Sequence, residues 1–244
     1  MKKNIATLVL LLITVCSFGQ KKSRADRFFE KGDYPTAAKY YEKDLLVENK
    51  RKPIQNLAIC YYNTFQYQSA AMYLKKIVNG RFDEPNKSYP NVYNLMYYHV
   101  LSALGDYPNA VNYIALFYEN SGVSFDKKSA LESIEEFKLK DDRFVANHTS
   151  FNSEFSDFGA IKVNDTLYFS SDRPSRFDRP MYKWTQRPYL DIFMAIQKEK
   201  DTIYTIEVLP EAINTELHEA SFCFTKDGNT IYYSGSNFEN GRKK

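Results

Sequence analysis

The sequence predicts a two-part α+β chain in which an all-α stack of paired helices is followed by antiparallel hairpins. Three observations carry this. A helix–turn–helix pattern recurs three times between Ala25 and Ile114, a strand–turn–strand plan occurs twice after Glu154, and the polar run between them, LKDDRFVANHTSFNS, follows neither period.

Ala25 to Tyr41 (ADRFFEKGDYPTAAKYY) reads as a helix, a Gly-Asp-Tyr turn and a second helix. In the copy from Ala58 to Leu74, Tyr67, Ala70 and Leu74 take the places of Tyr34, Ala37 and Tyr41, a shift of 33. The third copy, Tyr98 to Ile114, has Gly105-Asp106-Tyr107 at the turn and Ala110 beyond it, a shift of 40. Small residues (Ala25, Ala37, Ala58, Ala70, Ala110) belong where two helices cross, and Tyr34, Tyr67 and Tyr107 fill the space beside them. This pattern resembles the tetratricopeptide repeat, whose unit is about 34 residues. It departs from that repeat at Tyr98 and Asp44, where small residues are usual, and in the long loop GRFDEPNKSYP before the third copy. In such a stack the first helix of each pair lines the concave face. Asp26, Phe29, Glu30, Ile59, Tyr62, Asn63, His99 and Ser102 are therefore the candidate partner-facing residues, the alternative being that they pack against neighbouring repeats. DKKSALESIEEFK, with Ala130, Leu131, Ile134 and Phe137 at helical spacing, reads as a capping helix over the last repeat.

The later segments EFSDFGAIKVNDTLYFSS and EASFCFTKDGNTIYYSG share one plan about 64 residues apart. Each has an apolar run, a polar turn and a β-rich run, with Asn164-Asp165 and Asp227-Gly228-Asn229 supplying positive φ. A lone hairpin is marginal in water, and repeated ones are how a β-propeller is written into a sequence. The first blade is expected as four strands: Phe158 to Val163, Thr166 to Ser171, Tyr189 to Ile196 and Thr202 to Leu209. The second begins near Glu216. Between strands two and three, the proline-rich DRPSRFDRPMYKWTQRP predicts a long surface loop without strand, and its Arg176, Arg179, Trp184 and Arg187 are further candidates for partner binding.

EASFCFTKDGNTIYYSGS resembles the WD-like repeat of TolB-type propellers. Ser156-Asp157-Phe158-Gly159 followed by LYFSSDR resembles the opening blade of the OmpA-family cell-envelope proteins of Bacteroidetes. In those proteins a helical repeat domain, a propeller and a C-terminal peptidoglycan-binding domain are joined, often alongside type IX secretion or gliding machinery. The resemblance implies an outer-membrane or secretion scaffold tied to peptidoglycan by an OmpA-like domain that these residues lack. Roughly one and a half blades cannot close a ring, so the expected propeller is incomplete and the sequence is expected to be the N-terminal part of a longer protein.

MKKNIATLVLLLITVCSFGQ has a dibasic start, an apolar run too short to span a bilayer as a helix, and small residues before Gln20, the pattern of a secretory signal peptide. Cys16 opens a second reading, a lipoprotein leader, against which Val15 stands where a small residue is required. Cys60 and Cys223 fall in apolar patterns in different domains and are expected as buried free thiols.

A formal charge of +3 on 33 basic and 30 acidic residues argues against nucleic acid as a partner. His99, His148 and His218 stand apart from one another and from Cys, so no zinc site is expected. There is no G-x-S-x-G elbow and no phosphate-cradling glycine loop. The domains are expected as leader 1–19, tetratricopeptide-repeat domain with capping helix 24–140, linker 141–153 and partial propeller 154–244. The predicted role is a non-enzymatic, exported envelope scaffold of the periplasm or the periplasmic face of the outer membrane, without cofactor, binding envelope proteins. The rival is a periplasmic peptidase or hydrolase gated by the propeller, with its catalytic domain further along the chain.

Overall fold

The structure is a computed structural model that describes residues 22–47, 50–80, 89–138, 145, 147–175, 180–197, 204–236, 238–239 and 242–243. The expected leader, Cys16, the loop before the third repeat, most of the 141–153 linker's first half, Arg176 and Arg179 lie outside the described residues. The fold is mixed α+β, with seven helices and several antiparallel sheets among the described residues. It divides into two compact units, one ending at Phe125 and one beginning at Asp126.

The first unit contains α1 (Arg24–Glu30), α2 (Tyr34–Leu45), α3 (Arg51–Asn63), α4 (Tyr67–Val78), α5 (Val92–Ala103) and α6 (Tyr107–Glu119). Among the described residues, close backbone packing runs only between helices consecutive in sequence. Three helix pairs result. Each pair is closed by the same device, a left-handed residue just past the first helix: Gly32 (φ 71°), Phe65 (φ 58°) and Gly105 (φ 79°). At Gly32 the amide donates to the Phe29 carbonyl at 3.0 Å while the Asp33 amide reaches back to the Phe28 carbonyl at 3.0 Å. Phe65-Gln66 and Gly105-Asp106 repeat this two-bond closure, which satisfies carbonyls the helix end leaves open. Gly122 (φ 75°) ends α6 in the same way. Asp33 then caps α2 through the Thr36 amide at 3.2 Å, and Pro35 and Pro108 stand in first turns, where no N–H is needed.

Ala25, Ala37, Ala58, Ala70 and Ala110 are all buried, so backbones approach where these helices cross. Tyr41, Ile54, Leu57, Leu74, Ile77 and Val100 fill the continuous core around them. Each such side chain contributes about 1.5–3 kcal/mol of burial.

The second unit opens with α7 (Lys127–Lys138), the segment expected as a capping helix. It has no buried residue, Phe137 is 91% exposed, and the helix groups with the strands rather than with the repeats. The strands are β1 (Asp157–Val163), β2 (Thr166–Ser171), β3 (Met181–Tyr182), β4 (Arg187–Pro188), β5 (Asp191–Gln197), β6 (Tyr204–Val208), β7 (Glu219–Phe224), β8 (Ile231–Gly235), β9 (Phe238–Glu239) and β10 (Arg242–Lys243). Strands β1, β2, β5 and β6 form one antiparallel meander in that order, at the four expected segments. β7–β8 and β9–β10 are separate hairpins. The proline-rich loop carries a short strand pair that was not expected. Pro188 is tolerated in β4 because that strand pairs with β3 alone, and Gln186 (φ 58°) turns the chain between them.

One face of the meander carries Phe169, Phe193 and Ala195, covered by Phe151 at 5.5 Å from the Phe169 ring and by the Arg173 guanidinium at 4.9 Å. Phe151, assigned from its polar surroundings to the linker, is therefore part of this core. The other face carries Tyr168, Ile192 and Met194, covered by Phe222, Phe224 and Ile231 of the β7–β8 hairpin. Both hairpins have one extra residue in their first strand, after Phe158 in β1 and after Ala220 in β7. The bulge at Ser221 (φ 47°) turns Phe222 and Phe224 inward and leaves Cys223 exposed, correcting the expectation of a buried thiol. Cys60 is buried, and that burial pushes its thiol up to about 12.

A Cβ at Gly32 would meet nothing within 4 Å, so Gly32→Ala isolates the cost of the left-handed backbone. It should lower the stability of the helical unit by about 1 kcal/mol in urea unfolding. Phe65→Gly, at a residue 69% exposed, should raise it by about 0.5–1 kcal/mol.

Candidate functional site

Ile59, Tyr62 and Asn63 lie three and four residues apart and so occupy one face of α3. Val92, Leu95, Met96 and His99 do the same on α5. Together with Tyr93 these residues line a groove of about 410 Å³ between the two helices. Its walls are chiefly apolar: Val92 is 50% exposed, whereas Tyr93 is buried at 7%. The Tyr62 hydroxyl and His99 Nδ1 share a hydrogen bond of 2.9 Å across the groove, and the two rings stack at 6.3 Å. Burial, together with Tyr67 nearby, raises the Tyr62 phenol above its ordinary range, so its oxygen stays protonated and polar at neutral pH. The site is an apolar trough with polar groups at its edge, suited to holding an aliphatic or aromatic side chain of a partner.

Four of the candidate residues, Ile59, Tyr62, Asn63 and His99, meet in this groove. Val92, Tyr93, Leu95 and Met96 were not singled out from the sequence, because the third repeat was started at Tyr98. The helix begins six residues earlier, and the apolar spacing Val92, Leu95, Met96 ahead of His99 is the signal that marks it. Ser102 is half-buried at the end of α5 and does not line the groove.

The same place one pair earlier is filled. Asp26 accepts from the Tyr41 hydroxyl at 2.7 Å and from Lys52 Nζ at 2.9 Å, and Asn56 Nδ2 donates to the Tyr41 hydroxyl at 2.7 Å. Burial pushes the Asp26 carboxyl up, but the bonds from Lys52 and Tyr41 outweigh it and hold it below the usual carboxylate range. Asp26 is thus a clamp joining α1, α2 and α3. Phe29 is half-buried, edge-on to Tyr34 and Tyr41. Glu30 is exposed and pairs with Lys22 at 2.8 Å.

In the second unit Trp184 sits at the tip of the β3–β4 turn, 39% exposed. Arg187 points back to Asp172 at 3.5 Å and over the Phe155 ring at 5.8 Å, which ties the loop down. The loop is further held by His218, whose Nδ1 accepts from the Leu190 amide at 3.0 Å between the Tyr182 and Tyr189 rings, 4.5 and 4.6 Å away. Burial lowers the imidazole below its ordinary 6.5, while Asp172 and Asp191 oppose that shift.

The two hairpins open on one motif. In Asn152-Ser153-Glu154-Phe155-Ser156-Asp157, the Ser153 amide and hydroxyl both donate to the Asp157 carboxylate at 2.8 Å. In Asn214-Thr215-Glu216-Leu217-His218-Glu219, the Thr215 amide and hydroxyl donate to the Glu219 carboxylate at 3.0 and 2.6 Å. The amide two residues on, of Phe155 or Leu217, donates to the same hydroxyl at 3.2 Å in each. Asp157 also pairs with Arg173 at 2.7 Å.

Among the described residues, no group of three or more His, Cys, Asp or Glu could hold a metal ion, and no helix is long and apolar enough to cross a membrane. Compared with protein-family models, curated proteins and solved structures, the chain has no match.

Because the folded His218 imidazole resists protonation, an unfolded chain binds a proton below pH 6.5 that the folded one refuses. Stability of the second unit should therefore fall as pH drops from 7 to 5. In His218→Asn, whose Oδ1 can still accept from Leu190, the melting temperature should fall less over the same range, as read by circular dichroism.

Proposed function

We propose that this chain is a non-enzymatic, exported adaptor of the cell envelope. In this proposal the three helix pairs are tetratricopeptide repeats and the strands are the opening blades of a WD-like propeller. The observation that carries it is the groove between α3 and α5, an accessible apolar surface built from the first helices of two successive pairs. A chemical site would call for convergent acids, bases or nucleophiles; the groove instead offers Ile59, Val92, Leu95 and Met96 with Tyr62 and His99 at the edge. Those are the side chains of a protein-binding surface.

The hairpins favour the propeller reading in the same way. Two openings of one sequence plan, each with a hydroxyl residue bonded to an acid four residues on and each followed by a bulge, support reading the hairpins as repeated blades. The proposed partners are envelope proteins of an outer-membrane or type IX secretion assembly. Attachment to peptidoglycan belongs to the same proposal and rests on an OmpA-like domain outside these residues. No nucleic acid, cofactor or catalytic residue has a part in it.

The test places a photo-crosslinking amino acid at Met96 in the native host. A light-dependent adduct with an envelope protein should form there, be absent when the probe stands at Glu119 on α6, and weaken about 30-fold in Ile59→Asp. An adduct profile that ignores the groove, or none at all, contradicts the proposal.

A further inference from the structure

A second surface of the helical unit is basic. Lys39, Lys43 and Leu46 lie within one outward strip of α2, with Lys76 of α4 beside them. Together with Glu42, Leu45 and Tyr73 they line a hollow of about 580 Å³. Arg24, Arg27, Phe28 and Lys31 line the neighbouring hollow on α1. Tyr40 joins the two: Phe28 stacks on it at 5.5 Å, the Arg24 guanidinium lies 4.5 Å from its ring centre, and Lys43 Nζ lies 5.6 Å from it. Lys76 Nζ sits 5.3 Å from the Tyr73 ring in the same manner.

Among the described residues, none of these six cations is paired with a carboxylate. Of the acids on α2, Glu42 accepts from the Tyr61 hydroxyl and Asp44 flanks the strip. Cations resting on aromatic rings keep their charge while their stems are held in place. Beside them, at the end of α2, Leu46 is 86% exposed and Val47 is 83% exposed. Two aliphatic side chains offered to solvent at the end of the helix that carries Lys39 and Lys43 have no use on a polyanion. On a bilayer they enter the headgroup region while the cations meet anionic lipid.

We infer that this face, centred on Lys39, Lys43, Leu46 and Lys76, docks the protein on an anionic phospholipid membrane surface. It is separate from the α3–α5 groove, whose residues it does not share. The protein could therefore lie on a membrane and hold a partner at the same time. The inference does not rest on the identity of that partner.

The test is flotation of the full chain with vesicles of phosphatidylcholine alone or with added phosphatidylglycerol. Binding should appear only with phosphatidylglycerol and weaken with salt. It should fall about 100-fold in the triple variant Lys39→Glu, Lys43→Glu, Lys76→Glu. Leu46→Ser with Val47→Ser should also weaken it, whereas Met96→Glu in the groove should not. All of these are exposed or half-exposed positions, and circular dichroism checks that each variant keeps its helices. Equal binding to neutral vesicles would overturn the inference. So would binding that the Leu46/Val47 variant leaves intact and that heparin reproduces, because the surface would then be a site for soluble polyanions.

Discussion

Close backbone approach at Ala25, Ala37, Ala58, Ala70 and Ala110, none more than 1% exposed, sets the spacing of the helical unit. A larger side chain at any of these crossings would push two helices apart and open the core that runs from α1 to α6. The left-handed residues at Gly32, Phe65 and Gly105 serve the same end. Each reverses the chain within a few residues, so that the second helix of a pair starts beside the first. Phe65 does this without glycine's freedom and carries the strain of a bulky side chain at positive φ.

Polar groups decide which crevices between pairs stay open. Between α1 and α3 the Asp26–Tyr41–Asn56 network and Lys52 fill the space. Between α3 and α5 the corresponding space is lined chiefly by apolar side chains and crossed by the Tyr62–His99 bond, so a groove remains. Asp26 is half-buried, and removing any member of this network leaves a polar group without a partner it now has. The α3–α5 groove has little to lose by admitting a partner. In the strand unit, the Asp157 and Glu219 carboxylates do what Asp26 does among the helices: each fixes the entry of a hairpin by accepting from a hydroxyl residue four positions earlier.

Much of this was legible in the residues, and the reasons for the rest are physical. Helical periods, Gly-Asp-Tyr turns and polar hairpin turns are local, and they located α1 to α6 and the strands of both hairpins. Asp26 and Phe29 were read as partner-facing because their contacts, Tyr41 and Lys52, come from other helices and leave no local trace. Cys223 was placed inside because one bulged residue inverts the alternation of β7. The Asn-Ser/Thr-Glu opening repeats 62 residues apart and the hairpin turns about 64, so matching the turns does not bring the openings into register.

The central claim is that the apolar faces of the helix pairs are buried only by their neighbours, in a core that shares no residue with the cores of the strand unit. Hydrogen exchange on an Ala58→Leu variant, read peptide by peptide, tests it most directly. Overpacking that crossing should cost about 1–3 kcal/mol. Faster exchange should appear throughout α1 to α6 while β1, β2, β5 and β6 keep their protection. Equal loss of protection in helices and strands, or loss confined to α3 alone, would contradict the account.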